Sequence, residues 1–181
     1  MFYFYFREVI LTPTGPCLVE MNVRAHGGDG NWKSLATGLT GGYSQVDVTV
    51  DSYLDKKQFS ITPNLPRTPF KAYGQEVILV SFSRGKVIGT PGYDVIRSLQ
   101  SFVYMETGIK VGSFVERTVD LLTGIGSAIL MHEDEDVVRK DIETIRNLEK
   151  NNELFEFERK GALLTNASQR RLPEIIVGDN F

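Results

Sequence analysis

A stretch in which apolar and polar residues alternate, CLVEMNVR at residues 17–24, constrains the fold of this chain more than any other part of its sequence. In a β-strand successive side chains point to opposite faces, so Glu20, Asn22 and Arg24 would lie on one face. The other face is apolar and is predicted to pack; it comprises Cys17, Val19, Met21 and Val23. The segment is therefore predicted to be a strand with one packed face and one face that carries three polar groups.

This strand is predicted to be the second half of a β-hairpin. Residues 2–11 are rich in aromatic and β-branched side chains, which favour a strand, and the Pro- and Gly-containing residues 12–16 form a five-residue loop. Residues 24–30, RAHGGDG, are predicted to be a loop, because glycine adopts backbone angles that other residues avoid. A short helix is expected at residues 31–39, with Asn31 as its N-cap.

The remainder of the chain predicts an α+β fold, with a mainly antiparallel sheet and flanking helices. Its clearest element is a helix over residues 134–150, since acidic residues gather at its N-terminus and an apolar stripe follows one face. That stripe comprises Val138, Ile142, Ile145 and Leu148. Residues 43–57 fit both a strand and a helix, so periodicity leaves this segment open. The other predicted elements are a strand, tight turn and returning strand at 75–90, a helix start at 91–101, strands within 102–119 and a buried strand at 126–133.

Length and composition indicate one globular domain. The chain has 181 residues, of which 41% are hydrophobic, and we expect a domain at residues 1–150 followed by a polar, partly disordered tail at residues 151–181. A net charge of −3 argues against a nucleic-acid partner or an anionic membrane surface. No apolar run approaches the roughly 18 residues that a membrane-spanning helix needs. A single cysteine cannot form an internal disulfide, so we expect a reducing, cytoplasmic compartment.

The polar face of the predicted strand suits a hard cation beside an anion. Carboxylate and amide oxygens such as those of Glu20 and Asn22 are ligands that Mg²⁺ prefers, and Mg²⁺ usually keeps waters and substrate phosphates as its remaining ligands. The guanidinium of Arg24 would add a planar fork that pairs with phosphate oxygens. The same pattern also fits a polar, solvated strand face with no ligand, and the spacing alone leaves both interpretations open.

The longer segment GPCLVEMNVRAHGGDG, at residues 15–30, resembles the C-terminal metal-binding motif of the ATP-grasp superfamily. That motif is an apolar run, then Glu-x-Asn-x-Arg, then a glycine-rich loop. The segment is most similar to the carboxylate–amine ligases of the carnosine synthase and dipeptide ligase type, in which Gly-Pro also precedes the strand. The resemblance implies that residues 1–150 are the C-terminal part of an ATP-grasp fold, its C-terminal lobe and a trailing subdomain.

The resemblance also implies a site, with ATP and Mg²⁺ as cofactors and a small-molecule carboxylate and an amine as substrates. Activation of the carboxylate as an acyl-phosphate would precede attack by the amine. The expected metal ligands are Glu8, Glu20 and Asn22, the expected ATP contacts are Glu20, Asn22 and Arg24, and Arg24 is the expected catalytic residue. A substrate contact is expected from His26, Gly27 and Gly28.

The resemblance is partial, which leaves alternatives open. In ATP-grasp enzymes the lobe that binds ATP precedes this motif, so we expect it to be supplied in cis or in trans and the isolated chain to be incomplete. The alternatives are a non-catalytic or degenerate ATP-grasp fragment that serves as a binding module, and an unrelated α+β domain with a fortuitous motif. Phe6 stands where the family often has a histidine or a small polar residue, so the aromatic start is either a native strand or a misassigned beginning.

Overall fold

The fold is α+β, and each strand pairing in the described part of the chain is antiparallel. A computed structural model describes residues 6–25, 27, 30, 32–63 and 68–158. The strands are β1 Phe6–Thr12, β2 Gly15–Asn22, β3 Tyr73–Ile78, β4 Gly85–Gly89, β5 Phe102–Glu106, β6 Phe114–Val115, β7 Ser127–His132 and β8 Glu156–Phe157. The helices are α1 Trp32–Thr40, α2 Gln45–Leu54, α3 Lys56–Ser60, α4 Pro91–Arg97 and α5 Glu135–Lys150, with a 3₁₀ turn at Leu121–Thr123. The predicted class, a mainly antiparallel sheet with flanking helices, is confirmed.

Strands β1 and β2 form the predicted hairpin, but its loop is shorter than the sequence indicated. The strands end at Thr12 and resume at Gly15, so Pro13 and Thr14 alone make the turn instead of residues 12–16. The Thr12 hydroxyl holds the turn, because it donates to the carbonyl of Gly15 at 2.7 Å and accepts from the amide of Thr14 at 3.3 Å. Gly15 has a φ of 118°, a conformation that favours glycine at this position.

A three-stranded sheet in the order β3-β7-β5 forms the centre of the fold. The sheet has α1 on one face, where Gly38 lies against the side chain of Met131, and α5 on the other, where Leu130 joins the same core as Ile145. Cover on both faces explains why β7 is an apolar run instead of an alternating strand. The prediction of a buried strand at residues 126–133 is confirmed.

Helix α5 occupies nearly the whole of the predicted range and starts after the N-cap Asp134, whose side chain accepts from the amide of Asp136. Its apolar stripe packs as predicted: Val138, Ile145 and Leu148 are buried, and Ile142 lies half-buried against the same core. The stripe therefore supplies one wall of the core, and Ile145 is its member with no exposed surface.

Replacing Ile145 with alanine should lower the free energy of unfolding by about 2–5 kcal/mol, since a fully buried side chain leaves a cavity as well as losing its contacts. The matched variant Ile142→Ala removes the same atoms from a half-buried position of the same stripe, so its effect should be smaller. Urea unfolding of the two variants beside the wild type measures the difference. Equal losses for both variants would contradict this account of the core.

The ambiguous segment at residues 43–57 is helical in the structure. Ser44 caps α2 through a capping box, in which its hydroxyl accepts from the amide of Val46 and Asp47 accepts from the amide of Ser44. Hydrogen bonds from Ser44 hold the pKa of Asp47 below its ordinary value. Local capping therefore outweighs the strand-like alternation of valines in this segment.

The predicted returning strand at residues 75–90 is wrong in its pairing. Strand β3 pairs with β7, whereas β4 pairs with β6 and β8 in a different sheet. The chain between them crosses from one sheet to the other, and its backbone amides bond to distant elements: Leu79 donates to the carbonyl of Gly126, and Val80 donates to the carboxylate of Glu149. These long-range partners replace the tight turn that the Arg-Gly pair indicated.

The packed unit continues beyond Lys150. Leu154 and Phe155 are buried, Phe155 contacts the Tyr93 ring edge-on at a centroid distance of 5.3 Å, and β8 pairs with β4. The predicted polar tail at residues 151–181 therefore does not begin at residue 151, since residues 151–158 belong to the packed unit. Residues 159–181 lie outside the described residues, and for them the tail remains a prediction. Among the helices that the structure describes, none is long and apolar enough to cross a membrane.

Candidate functional site

The pairing register of the hairpin brings the predicted metal ligands together. Glu8 lies directly opposite Glu20, and Phe6 lies directly opposite Asn22. Residues that face each other across an antiparallel pair project to the same side of the sheet, and residues two apart on one strand share that side. The register therefore places Glu8, Glu20 and Asn22 on one face of the hairpin.

A hydrogen bond orders two of these three side chains. The Asn22 amide Nδ2 donates to Glu20 Oε1 at 2.6 Å. Because the amide nitrogen takes this bond, the amide oxygen Oδ1 is directed elsewhere and keeps its acceptor capacity. Two carboxylates and one amide oxygen thus share one exposed strand face, and all three are oxygen donors of the kind that Mg²⁺ takes together with water and phosphate oxygens. In the part of the chain that the structure describes, no group of three or more His, Cys, Asp or Glu side chains clusters as a metal site.

A β-bulge follows this pair of glutamates. Glu8 pairs with Glu20, but the next residue of β1, Val9, pairs with Leu18. Val19 is therefore the additional residue on β2. Bulges bend a strand and re-aim its side chains, and they are frequent beside active sites. The sequence pattern predicted uninterrupted alternation through residues 17–23, and the bulge breaks it on the turn side of Glu20.

The predicted packing of one hairpin face is not observed among the described residues. Side chains on both faces are exposed, including Val9, Ile10, Leu18, Val19 and Met21, each of which has half or more of its surface accessible. The two strands form a sheet of their own, separate from the other two sheets. The candidate metal face is therefore open to solvent and to a ligand.

Arg24 lies immediately beyond the hairpin, against the glycine loop. Its Nη1 donates to the carbonyl of Ala25 at 3.1 Å. A methyl group added at Gly27 would stand 2.9 Å from that same Nη1, so the absence of a side chain at Gly27 makes room for the guanidinium. The indole Nε1 of Trp32 donates to the carbonyl of Gly27 at 2.7 Å.

Trp32 is a residue that the sequence analysis missed. It begins α1, directly after the loop, and it is the single tryptophan of the chain. Its position could have pointed to it, because a tryptophan directly after a glycine loop can donate its indole N–H to a loop carbonyl. Two other predicted substrate contacts, His26 and Gly28, lie outside the described residues, and their roles stay predictions together with that of Gly27.

Comparison with known proteins gives a fold but no sequence family. No family model matches the chain, and no curated protein sequence does so either. Among solved structures, an L-amino acid ligase from Bacillus licheniformis is similar with a TM-score of 0.63 at 15% identity, covering 85% of this chain and 36% of that one. A phosphoribosylglycinamide synthetase from Anaerococcus prevotii is similar with a TM-score of 0.51 at 14% identity, covering 79% of this chain and 35% of that one.

These similarities show that the chain shares the fold of part of each of these two enzymes, which agrees with the partial fold that the resemblance in residues 15–30 implied. The chain spans about a third of the length of each solved structure that it matches. At this level of identity the likeness concerns architecture alone.

Proposed function

We propose that this chain supplies the metal-binding part of an ATP- and Mg²⁺-dependent carboxylate–amine ligase. The observation that carries the proposal is the pairing of Glu8 with Glu20 on the face that also bears Asn22. The fold shared with an L-amino acid ligase favours an amino acid or a peptide as the carboxylate and a second amine as the acceptor.

In this proposal each polar residue of the hairpin has a distinct task. Glu8, Glu20 and Asn22 would hold Mg²⁺, which neutralises phosphate charge when it is bound. Arg24 would stabilise negative charge on the phosphoryl group as it passes from ATP to the substrate carboxylate, and the resulting acyl-phosphate would be attacked by the amine. His26, Gly27 and Gly28 would line the acceptor side.

The remaining part of the active site would come from an ATP-binding lobe, in cis or in trans. That proposal rests on the share of each similar structure that this chain covers, about a third. The same observation supports a second candidate, a non-catalytic ATP-grasp fragment that binds a small molecule or a partner. We further propose a cytoplasmic location, since Cys17 is a free and exposed thiol.

Mg²⁺ should bind the isolated chain weakly and at the hairpin. In a titration followed by amide NMR, we expect saturable shifts for residues flanking Glu8 and Glu20, because two carboxylates and an amide form only part of a magnesium shell. Glu20→Gln should weaken binding about tenfold or more, the effect of losing a little over 1 kcal/mol of interaction.

Glu143→Gln provides the control, because Glu143 is an exposed glutamate on α5 and belongs to neither strand of the hairpin. It changes the net charge by the same amount and should leave the Mg²⁺ affinity unaltered. Shifts spread evenly over acidic residues, or hairpin amides that do not respond to Mg²⁺, would contradict the metal site.

A further inference from the structure

We propose that Trp32 and Gly27 are positioning residues that hold the Arg24 guanidinium ready for an anionic ligand. The hydrogen bond from the Trp32 indole to the Gly27 carbonyl is called the indole latch below. The inference rests on the proposed function, because it assigns the phosphoryl or carboxylate group of the ligand to Arg24. Neither positioning residue needs to touch that ligand.

The indole latch ties a loop residue to the rigid part of the fold. Trp32 is the first residue of α1, and α1 packs on β3 and β7 of the central sheet. The packing is close, because Gly74 of β3 has no side chain and admits Leu35 of α1. A carbonyl bonded to the start of this helix, at 2.7 Å, therefore has a fixed place relative to the central sheet.

Gly27 in turn forms a surface for the arginine. A methyl group at Gly27 would stand 2.9 Å from Nη1 of Arg24, 3.6 Å from its Cζ and 3.8 Å from its Nη2. All three atoms belong to the guanidinium, and its Nη1 end lies nearest the position that a side chain at Gly27 would occupy. The Nη1 bond to the Ala25 carbonyl, at 3.1 Å, fixes a second point of the same group.

This arrangement matters because Arg24 is otherwise an exposed, long side chain. An exposed arginine loses considerable rotamer freedom when it is ordered by a ligand. Ordering it beforehand against Gly27 removes part of that cost, and the fork that remains can bind a planar pair of oxygens. The ligand class that fits is a phosphoryl or carboxylate anion, which is what the proposed transfer presents.

The coupling between the Arg24 guanidinium and the indole latch can be measured without any ligand. The chain has one tryptophan, so its ¹⁵N–¹H spectrum has one indole resonance, and that resonance reports the indole latch directly. We expect Arg24→Gln and Gly27→Ala to shift it, since each disturbs the contact between the guanidinium and the loop. Gly108→Ala is the matched control, because a methyl group there meets nothing within 4 Å. An indole resonance that neither Arg24→Gln nor Gly27→Ala moves would overturn the inference.

The second measurement adds a ligand. Mg²⁺ with inorganic tripolyphosphate is titrated into the wild type, Trp32→Phe, Gly27→Ala and Gly108→Ala, and binding is followed by phosphorus NMR. We expect about a fivefold loss of affinity in Trp32→Phe and Gly27→Ala, with thermal unfolding of Gly27→Ala equal to that of Gly108→Ala. Unchanged affinity in both positioning variants would overturn the inference. If the wild type binds no tripolyphosphate while the indole shifts persist, the anion-binding role of Arg24 in the proposed function fails and the positioning of Arg24 by the indole latch stands.

Discussion

Replacing Glu149 with alanine should lower the free energy of unfolding by about 3–5 kcal/mol, because it leaves a buried ion pair without its acceptor. The Glu149 side chain is only 1% exposed. Its two oxygens accept from Nη1 of Arg146 at 2.9 and 2.7 Å, and Oε1 also accepts from the amide of Val80 at 2.9 Å. The variant would leave the part-buried Val80 amide without its acceptor, and it would leave the Arg146 guanidinium with the Ile78 carbonyl, at 3.0 Å, but without its carboxylate. Because Arg146 remains 35% exposed and can rehydrate, the loss should lie toward the lower end of that range.

Two further variants separate the ion pair from the helix that carries it. Glu143→Ala, at an exposed position of α5, should change stability by no more than about 0.5 kcal/mol. Glu149→Gln keeps an acceptor for Val80 but loses the charge, so its effect should fall between the two. Urea unfolding measures all three, and a loss in Glu149→Ala no larger than that in Glu143→Ala would show that this carboxylate stabilises nothing.

Glu149 also shows what periodicity cannot predict. The stripe of α5 was identified from the recurrence of apolar residues, and the structure confirms it. The burial of a carboxylate next to Leu148 depends on the crossing segment between β3 and β4, which lays the Val80 amide against the helix. A contact across 69 positions has no local sequence pattern, so the acid was indistinguishable from an exposed helical glutamate.

The strands show the same difference between local features, which the sequence predicts, and long-range contacts, which it does not. β7 was predicted because an apolar run is what a strand covered on both faces needs, and the structure provides α1 and α5 as its cover. The partner of β3 was predicted wrongly, because the Arg-Gly pair suggested a local turn. In the structure the hydrogen bonds of Leu79 and Val80 lead the chain into another sheet. Strand existence is a local property, whereas strand pairing is set by distant residues.

The candidate site was predictable to the extent that it depends on alternation and register. The two-residue period placed Glu20 and Asn22 on one face, and the antiparallel register adds Glu8 to it. The bulge at Val19 and the short turn were not predictable, since backbone irregularities leave little trace in residue type. The role of Trp32 was missed because it depends on a hydrogen bond to a loop carbonyl, which composition does not reveal.

Turnover should depend on the part of the ATP-grasp fold that this chain does not cover. We expect the 181-residue chain alone to release no ADP in the presence of Mg-ATP and a panel of amino acids. Binding energy from the adenine and the remaining phosphate contacts positions the γ-phosphate for transfer, and the hairpin by itself would hold a nucleotide through few groups. Under the proposed function, the same segment joined to the part of an L-amino acid ligase that it does not cover should be active.

In that joined enzyme, Glu20→Ala should lower amino-acid-dependent ADP release about a thousandfold, which corresponds to losing several kcal/mol of charge stabilisation at the phosphates. Raising the Mg²⁺ concentration should restore part of the rate, because the remaining ligands, Glu8 and Asn22, would still bind the ion weakly. Glu143→Ala, on α5, should leave the rate unchanged and controls for loss of charge. Amino-acid-dependent turnover by the unjoined chain at about 1 per second or more, an ordinary enzyme rate, would contradict the requirement for the ATP-binding lobe. Full activity of Glu20→Ala in the joined enzyme would instead exclude the hairpin as the metal site, since the variant would leave Glu8 as the one carboxylate of the proposed ligand set.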